Sequence, residues 1–382
     1  MLQTGKTSWA IAAVLCAAVI TAFSDAHGAP AITSIGSGPL VNGSAVTILG
    51  SGFGNNGPNI LVFDDFEGGT DGSLIKTGAG SATIGKWDEI GGGTNTAPPH
   101  YSGLYRHSGN LAFKSDLLKV TDGSNGTQSR ARIMNLSYTD AFVSFWNYWP
   151  TTSSFPCASG GSACNIKMTW LFQTTAGSVD FVNQAGQPEG YNSWSSGPYT
   201  FCNSCGINEN YTSPRASISK GKWYRHSTWV HATSDASSNV RVNVISPAGQ
   251  GNLTNVERIN WTGKFIDSAG LSFTNFALSA WYRTCVGCAE SSPFFDDVYM
   301  AIGPSARARV EIGDASTYGN CTNLSIATVT SWSDTAVTAT VRQGSFTNFN
   351  SAYIYVIDAN GNVNQSGFRI CPNCPLPPVW NP

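Results

Sequence analysis

After its first thirty residues the chain never keeps a helical period. No window of a dozen residues holds apolar positions at a spacing of 3.6. Short runs stand there instead: SAVTILG, NILVFDDFE, ARIMNLS, AFVSFWNYW, NIKMTWLFQ, KWYRHSTWVHAT, SFTNFALSAWY and FFDDVYMAIG. They are rich in aromatic and β-branched residues, and clusters of Gly, Ser, Asn and Pro bound them. Strands this dense leave no length for crossover helices, so they must pair antiparallel. The expected fold class is all-β, built from antiparallel sandwiches.

The chemistry of the chain suits an exported protein. Only 12% of its 382 residues are charged and the formal net charge is -2, which leaves no basic field for nucleic acid. Lys6 precedes the apolar run WAIAAVLCAAVITAF, too short to span a bilayer comfortably, and Ala26 and Gly28 supply small residues at a cleavage site before Ala29. Residues 1–28 therefore read as a signal peptide. Leu15 before Cys16 does not fit a lipoprotein site. No later run is apolar enough for a transmembrane anchor, so the expected location is secreted: extracellular, cell surface or periplasm.

Nine cysteines follow the signal segment. They fall as Cys157 and Cys164, Cys202 and Cys205, Cys285 and Cys288, the lone Cys321, and Cys371 and Cys374. In an exported chain such close pairs are expected as local disulfides, with zinc ligation as the competing reading. Cys321 has either Cys371 or Cys374 as a candidate partner.

Two stretches carry a family resemblance. PAITSIGSGPLVNGSAVTILGSGFGNNGPNILVF resembles the opening of an IPT/TIG domain, an immunoglobulin-like sandwich, through Pro30, Ile32 and the run Gly50 to Gly54. The later half of that family is matched much further on, where Trp332-Ser333-Asp334-Thr335 resembles its WSDT turn. AYIYVIDANG resembles its closing hairpin, with Asn360-Gly361 as a type I′ signal. The resemblance implies a domain of residues 29–63 and 304–370, split by an insert of residues 64–303, with a Cys/Pro-rich tail from 371 to 382. The insert's aromatic strands and its KGKWYRHSTWVHAT segment resemble concanavalin A-like jelly rolls of secreted carbohydrate-binding modules and polysaccharide lyases. The expected architecture is thus an immunoglobulin-like sandwich interrupted by a larger antiparallel jelly roll.

The first and last strands of that insert each carry an acidic doublet, FDDFE and FFDDV. If those strands pair, the carboxylates converge and need a cation between them. Asp65, Glu67, Asp296 and Asp297 are the expected ligands of a structural Ca²⁺ ion, which takes hard oxygen donors.

Three functions remain open. A carbohydrate-binding or surface-adhesion protein needs exposed rings, and Trp146 and Tyr148 share one strand face, as do Trp281 and Arg283. Trp194 and Tyr199 sit in or beside a Gly/Ser-rich stretch that could rim a groove. A polysaccharide lyase needs a base and a cation to neutralise a uronate carboxylate, for which Tyr224, His226, Arg130, Arg132 and Lys167 are the candidates. The Glu-x-Asp-x-Glu strand of jelly-roll glycosidases is absent. The third function is a purely structural surface module. The leading expectation is binding of a polysaccharide or cell-surface glycan without catalysis.

Overall fold

The structure is a computed structural model. It describes residues 28–36, 40–91, 97–116, 129–152, 164–173, 180–187, 195–199, 216–217, 220–247, 253–266, 269–283, 292–364 and 366–371. Among these the single helical turn is the 3₁₀ segment Tyr318–Asn320, and every sheet pairing is antiparallel. No helix among the described residues is long and apolar enough to cross a membrane.

The smaller sandwich is assembled from both ends of the chain. Its strands run, in hydrogen-bonded order, Ala31–Ile35, Ala45–Ser51, Ala336–Thr340, Leu324–Trp332, Arg309–Gly313, Tyr353–Ile357 and Phe368–Arg369. Ala45 faces Thr340 and Leu49 faces Ala336, so strands almost three hundred residues apart in sequence lie side by side. Val46, Ile48 and Phe53 bury in one core with Val310, Ile312, Val337 and Val356. The turn at Gly50–Gly54 locks onto the turn at Trp332–Thr335. The Gly50 amide donates to the Thr335 carbonyl, Gly54 donates to Asp334 Oδ1 at 2.9 Å, and Trp332 Nε1–H donates to the Gly54 carbonyl at 2.9 Å. A Cβ at Gly50 would stand 2.0 Å from the Ala31 carbonyl oxygen, so no other residue fits there.

The closing hairpin differs from expectation in its turn. Gly361 has φ +84, but Asn360 is not left-handed, and the Gly361 amide donates to the Asp358 carbonyl. This geometry fits a type I turn closed by a left-handed glycine rather than a type I′ turn, which needs two left-handed residues.

The insert is the jelly roll. Its eight-stranded sheet runs Leu253–Gly263, Ser238–Pro247, Trp223–His231, Asp140–Tyr148, Phe294–Ile302, Ala112–Lys114 and His100–Ser102, with Asn59–Asp64 also paired to Phe294–Ile302. The boundary expected between residues 63 and 64 therefore runs through a strand of the insert. The second sheet runs Ala216–Ser217, Ser195–Tyr199, Asp180–Gln187, Cys164–Phe172, Asn275–Arg283, Ala131–Ile133 and Glu89–Ile90. Ala141, Val143 and Phe145 face inward, into a core shared with Leu171, Phe276 and Leu278 of the second sheet.

The other face of the eight-stranded sheet is not left to solvent. Phe142 and Tyr299 pack with Ala306 and Ile326, while Trp146 and Ile245 pack with Leu324, Tyr355 and Ile357 of the smaller sandwich. At the centre of this interface Glu311 accepts from Arg225 (2.8 Å), Arg309 (2.8 Å) and Tyr318 Oη–H (2.7 Å), and the Glu311 carboxylate is fully buried. The two apolar clusters that join the sandwiches draw no residue from the second sheet of the insert.

Candidate functional site: the second sheet of the jelly roll

Backbone register gathers residues from six strands onto this sheet. One row runs Tyr199, Val182, Trp170, Ala277, Arg132 and Glu89, each opposite the next. With strands about 4.8 Å apart the row is roughly 24 Å long, a span for a polymer rather than a single sugar. The neighbouring row holds Gln184, Lys167 and Trp281.

Lys167 and Trp170 share a face although they are three residues apart. Both ladders shift register between them, at Asn183/Gln184 and at Leu278/Trp281, and Met168 and Thr169 both bury. This is a β-bulge, and Ser279 across from it takes a left-handed φ of 51. The result places the Lys167 ammonium 3.8 Å from the centroid of a Trp170 ring, a cation–π contact. Trp170 in turn lies 4.8 Å from the Phe172 ring. Trp170 is not among the expected site residues, because strict alternation puts Thr169 on the face of Lys167, and no glycine marks the bulge.

Arg130 and Arg132 hold Glu89 between them. Arg130 Nη2 is 3.0 Å from Glu89 Oε1, and Arg132 pairs with Oε2. Burial alone would raise the Glu89 carboxyl, but the hydrogen bonds from the two guanidinium groups outweigh it and hold it below the usual range. Two cations against one anion leave this edge of the sheet positive.

The remaining expected site residues are dispersed. Trp146 does share its face with Ser144 and Tyr148, but that face lies under the smaller sandwich, and Trp146 is 3% exposed with its ring stacked 3.8 Å from that of His107. It is an interface residue, not a platform. Tyr148 is half-buried and stacks on Tyr105 at 4.5 Å. Tyr224 and His226 alternate to the opposite side of their strand, and both are buried in the jelly roll. His226 stacks on Phe145, and burial pushes its imidazole down to about 4. Neither residue can reach a polymer at the surface. Tyr199, Trp281 and Arg283 are placed by their backbone, their side chains lying outside the described residues, as Trp194 does entirely.

Of the cysteines, Cys157, Cys202, Cys205, Cys285, Cys288 and Cys374 also fall outside the described residues, and Cys164 is placed by backbone only. Cys371 is disulfide-bonded. Cys321 is free and buried, which corrects its expected pairing with Cys371 or Cys374. It packs with Tyr355.

The acidic doublets do meet, since Asp64 lies opposite Val298 in paired strands. What they hold in common is a loop. Asp296 accepts the amides of His107 (2.8 Å) and Ser108 (2.9 Å), and Asp297 accepts from His107 Nδ1 (2.8 Å) and Ser108 Oγ (2.8 Å). Glu67 accepts the amides of Asn110 and Leu111, both at 2.7 Å. Asp65 accepts from Thr83 Oγ1. Asp296 is fully buried, and burial followed by the neighbouring Asp297 raises its carboxyl well above the usual range. Asp65, Glu67, Asp297 and Ser108 line one cavity of about 190 Å³ that Asn42 and Arg342 of the smaller sandwich close. Asp296 does not line it. Among the described residues no three His, Cys, Asp or Glu side chains already stand together as a metal site.

No protein-family model matches this chain, and no curated protein does. Among solved structures it is similar to an endo-β-1,4-glucuronan lyase from the fungus Trichoderma reesei, at 10% identity over 62% of this chain and 98% of that one, with a TM-score of 0.43. It is similar to a mutant alginate lyase solved with an alginate trisaccharide, at 12% identity over 65% of this chain and 100% of that one, with a TM-score of 0.46. An alginate lyase from Aplysia kurodai is similar at 12% identity over 54% of this chain and 87% of that one, with a TM-score of 0.35.

Proposed function

We propose that this protein is exported, takes a uronate-containing polysaccharide across the second sheet of its jelly roll, and cleaves it by β-elimination. One observation carries this reading. One of the aromatic faces expected to bind glycan without chemistry, that of Trp146 and Tyr148, lies beneath the smaller sandwich, while Arg130, Arg132 and Lys167 collect on the other sheet with Trp170. In such a reaction a base removes the proton on the carbon next to the carboxyl. That electron pair becomes a carbon–carbon double bond, the bond to the leaving sugar oxygen breaks, and that oxygen takes up a proton. Cations that neutralise the carboxylate make the first step accessible. Lys167 suits that role for the reacting sugar, and Arg132, four strands from Tyr199, suits the carboxylate of a neighbouring one. Lys167, held as a cation over an indole, suits neutralisation better than proton abstraction. Tyr199, in the row of Trp170 and Arg132, is our candidate base. The smaller sandwich we assign to the IPT/TIG kind, as a cover and carrier for the insert.

The test is to incubate the protein with polyuronates of different linkage and follow the ultraviolet absorbance of the new double bond. Lys167→Ala should cut the rate by about 10²-fold or more without lowering the melting temperature, and Arg132→Ala should weaken polymer binding with a small fall in melting temperature, because it also removes a partner of Glu89. Polymer binding with no absorbance change would replace this reading by the binding-only one, which the engagement of both arginines by Glu89 favours.

For the cavity beneath the acidic loop we propose a Ca²⁺ ion held by Asp65, Glu67 and Asp297. The donor set is all oxygen and suits this hard cation. Since Asn110, Leu111, His107 and Ser108 already engage these carboxylates, the ion would reinforce the loop rather than create it.

A further inference from the structure

The seam between the two sandwiches opens into a groove of about 540 Å³, on the side of the molecule away from the second sheet. One wall is the loop Leu104 to Gly109 with Trp223. The other is the loop Gln343 to Thr347 of the smaller sandwich. His107 sits at its base. The His107 side chain is only 6% exposed, and Asp297 accepts from its Nδ1 at 2.8 Å. In the tautomer that donates Nδ1–H to Asp297, Nε2 is left as an acceptor. Nε2 has no hydrogen-bond partner among the described residues, and His107 lines the groove. A buried imidazole fixed by Asp297 Oδ2 and stacked on Trp146 is a rigid acceptor waiting for a donor.

We infer that this groove is a second saccharide site, for a neutral sugar chain. The aromatic ledge supplies the first part of the argument: Tyr105 stacks on Tyr148, whose ring lies 5.3 Å from that of Trp223, and both Tyr105 and Trp223 line the groove. Such rings take the flat C–H face of a pyranose whose hydroxyls are equatorial, and one of those hydroxyls donates to His107 Nε2. Charge supplies the second part. The groove runs into the smaller cavity through shared Ser108, Gly109, Gln343 and Gly344, and that cavity carries Asp65, Glu67 and Asp297 against one arginine, Arg342. Arg106, the cation on the groove's rim, turns its Nε and Nη1 to the Gly109 and Gly103 carbonyls. With the Ca²⁺ proposed above in place, the three carboxylates of the inner end are balanced by that ion and Arg342, so the seam lacks the clustered cations of the second sheet and suits a chain without carboxylates.

The probe is a β-1,4-linked glucose hexasaccharide titrated into the whole protein by calorimetry. Saturable binding is expected. His107→Asn keeps a donor toward Asp297 but lacks the Nε2 acceptor, and it should weaken binding about tenfold. Thr347 is exposed on the opposite wall, and Thr347→Trp should fill the groove and abolish binding. This second variant carries the test if His107→Asn lowers the melting temperature. Lys167→Ala on the other sheet should leave hexasaccharide binding unchanged. The inference is overturned if the hexasaccharide does not bind, if Thr347→Trp binds it as well as the parent does, or if a uronate oligomer binds the groove more tightly.

Discussion

Asp64 and Glu311 are both carboxylates with almost no exposed surface, yet the protein treats them in opposite ways. Asp64 accepts from the Phe66 amide at 3.0 Å and Trp87 Nε1–H at 2.7 Å, with no cation beside it, and burial pushes it up to about 7. Its protonated form is stable in the fold. Stability from this group is therefore complete below about pH 4 and is lost as pH rises through about 7. The shift corresponds to on the order of 4 kcal/mol. Asp64→Asn should flatten the loss between those limits, which urea midpoints taken across the range will read. A variant with the same pH profile as the parent would show that Asp64 is not the group responsible. Glu311 has burial against it too, but Arg225 and Arg309 outweigh that and bring it down to about 2. Its contribution is present above about pH 4.5 and is lost as pH falls toward 2. Nothing local in the sequence separates these two residues. FDDFE and RVEIG both read as an acid within a strand, and only the partners brought in from distant strands decide the sign.

At the scale of elements, alternation was a reliable guide until a bulge intervened. The sharing of one face by Ser144, Trp146 and Tyr148 follows from the pleat, and so does the turning of Tyr224 and His226 to the other side. Which face is wet does not follow, because another domain can cover either one, and no residue of the strand announces it. Lys167 with Trp170 was hidden for a different reason: the bulge at Met168 costs no glycine, since the left-handed residue is Ser279 on the partner strand. The acidic doublets were legible as strands that pair, while the loop between them was not. That loop gives the calcium proposal its test. Chelation should lower the melting temperature, added Ca²⁺ should restore it, and Glu67→Ala should remove that response as well as loosen the Asn110 and Leu111 amides. An unchanged melting temperature in chelator would leave the loop's own hydrogen bonds as the whole explanation of the doublets.

At the scale of the molecule the two sandwiches are joined as one domain core is joined to another. An inserted domain is expected to carry its own core and to fold alone, but residues 64–303, once excised, would expose Trp146, Phe142 and Tyr299 and leave the buried Arg225 without Glu311. Glu311→Gln in the intact protein isolates the electrostatic part. It strands two buried guanidinium groups and should cost about 3–5 kcal/mol, with the loss shrinking as pH falls from about 4.5 toward 2, where the parent carboxyl itself protonates. A loss under about 1 kcal/mol in equilibrium unfolding would mean that water reaches the pair. The split of the smaller sandwich has a further consequence, in the time the chain takes to be made. Val46 and Ile48 leave the ribosome early, while the strand that covers them, Ala336–Thr340, emerges almost three hundred residues later. At about 5–20 residues per second that interval is on the order of tens of seconds. Through all of it a hairpin with one apolar face and an open edge waits for its partner, so the newborn chain, not the finished protein, is where this architecture is most exposed to mispairing.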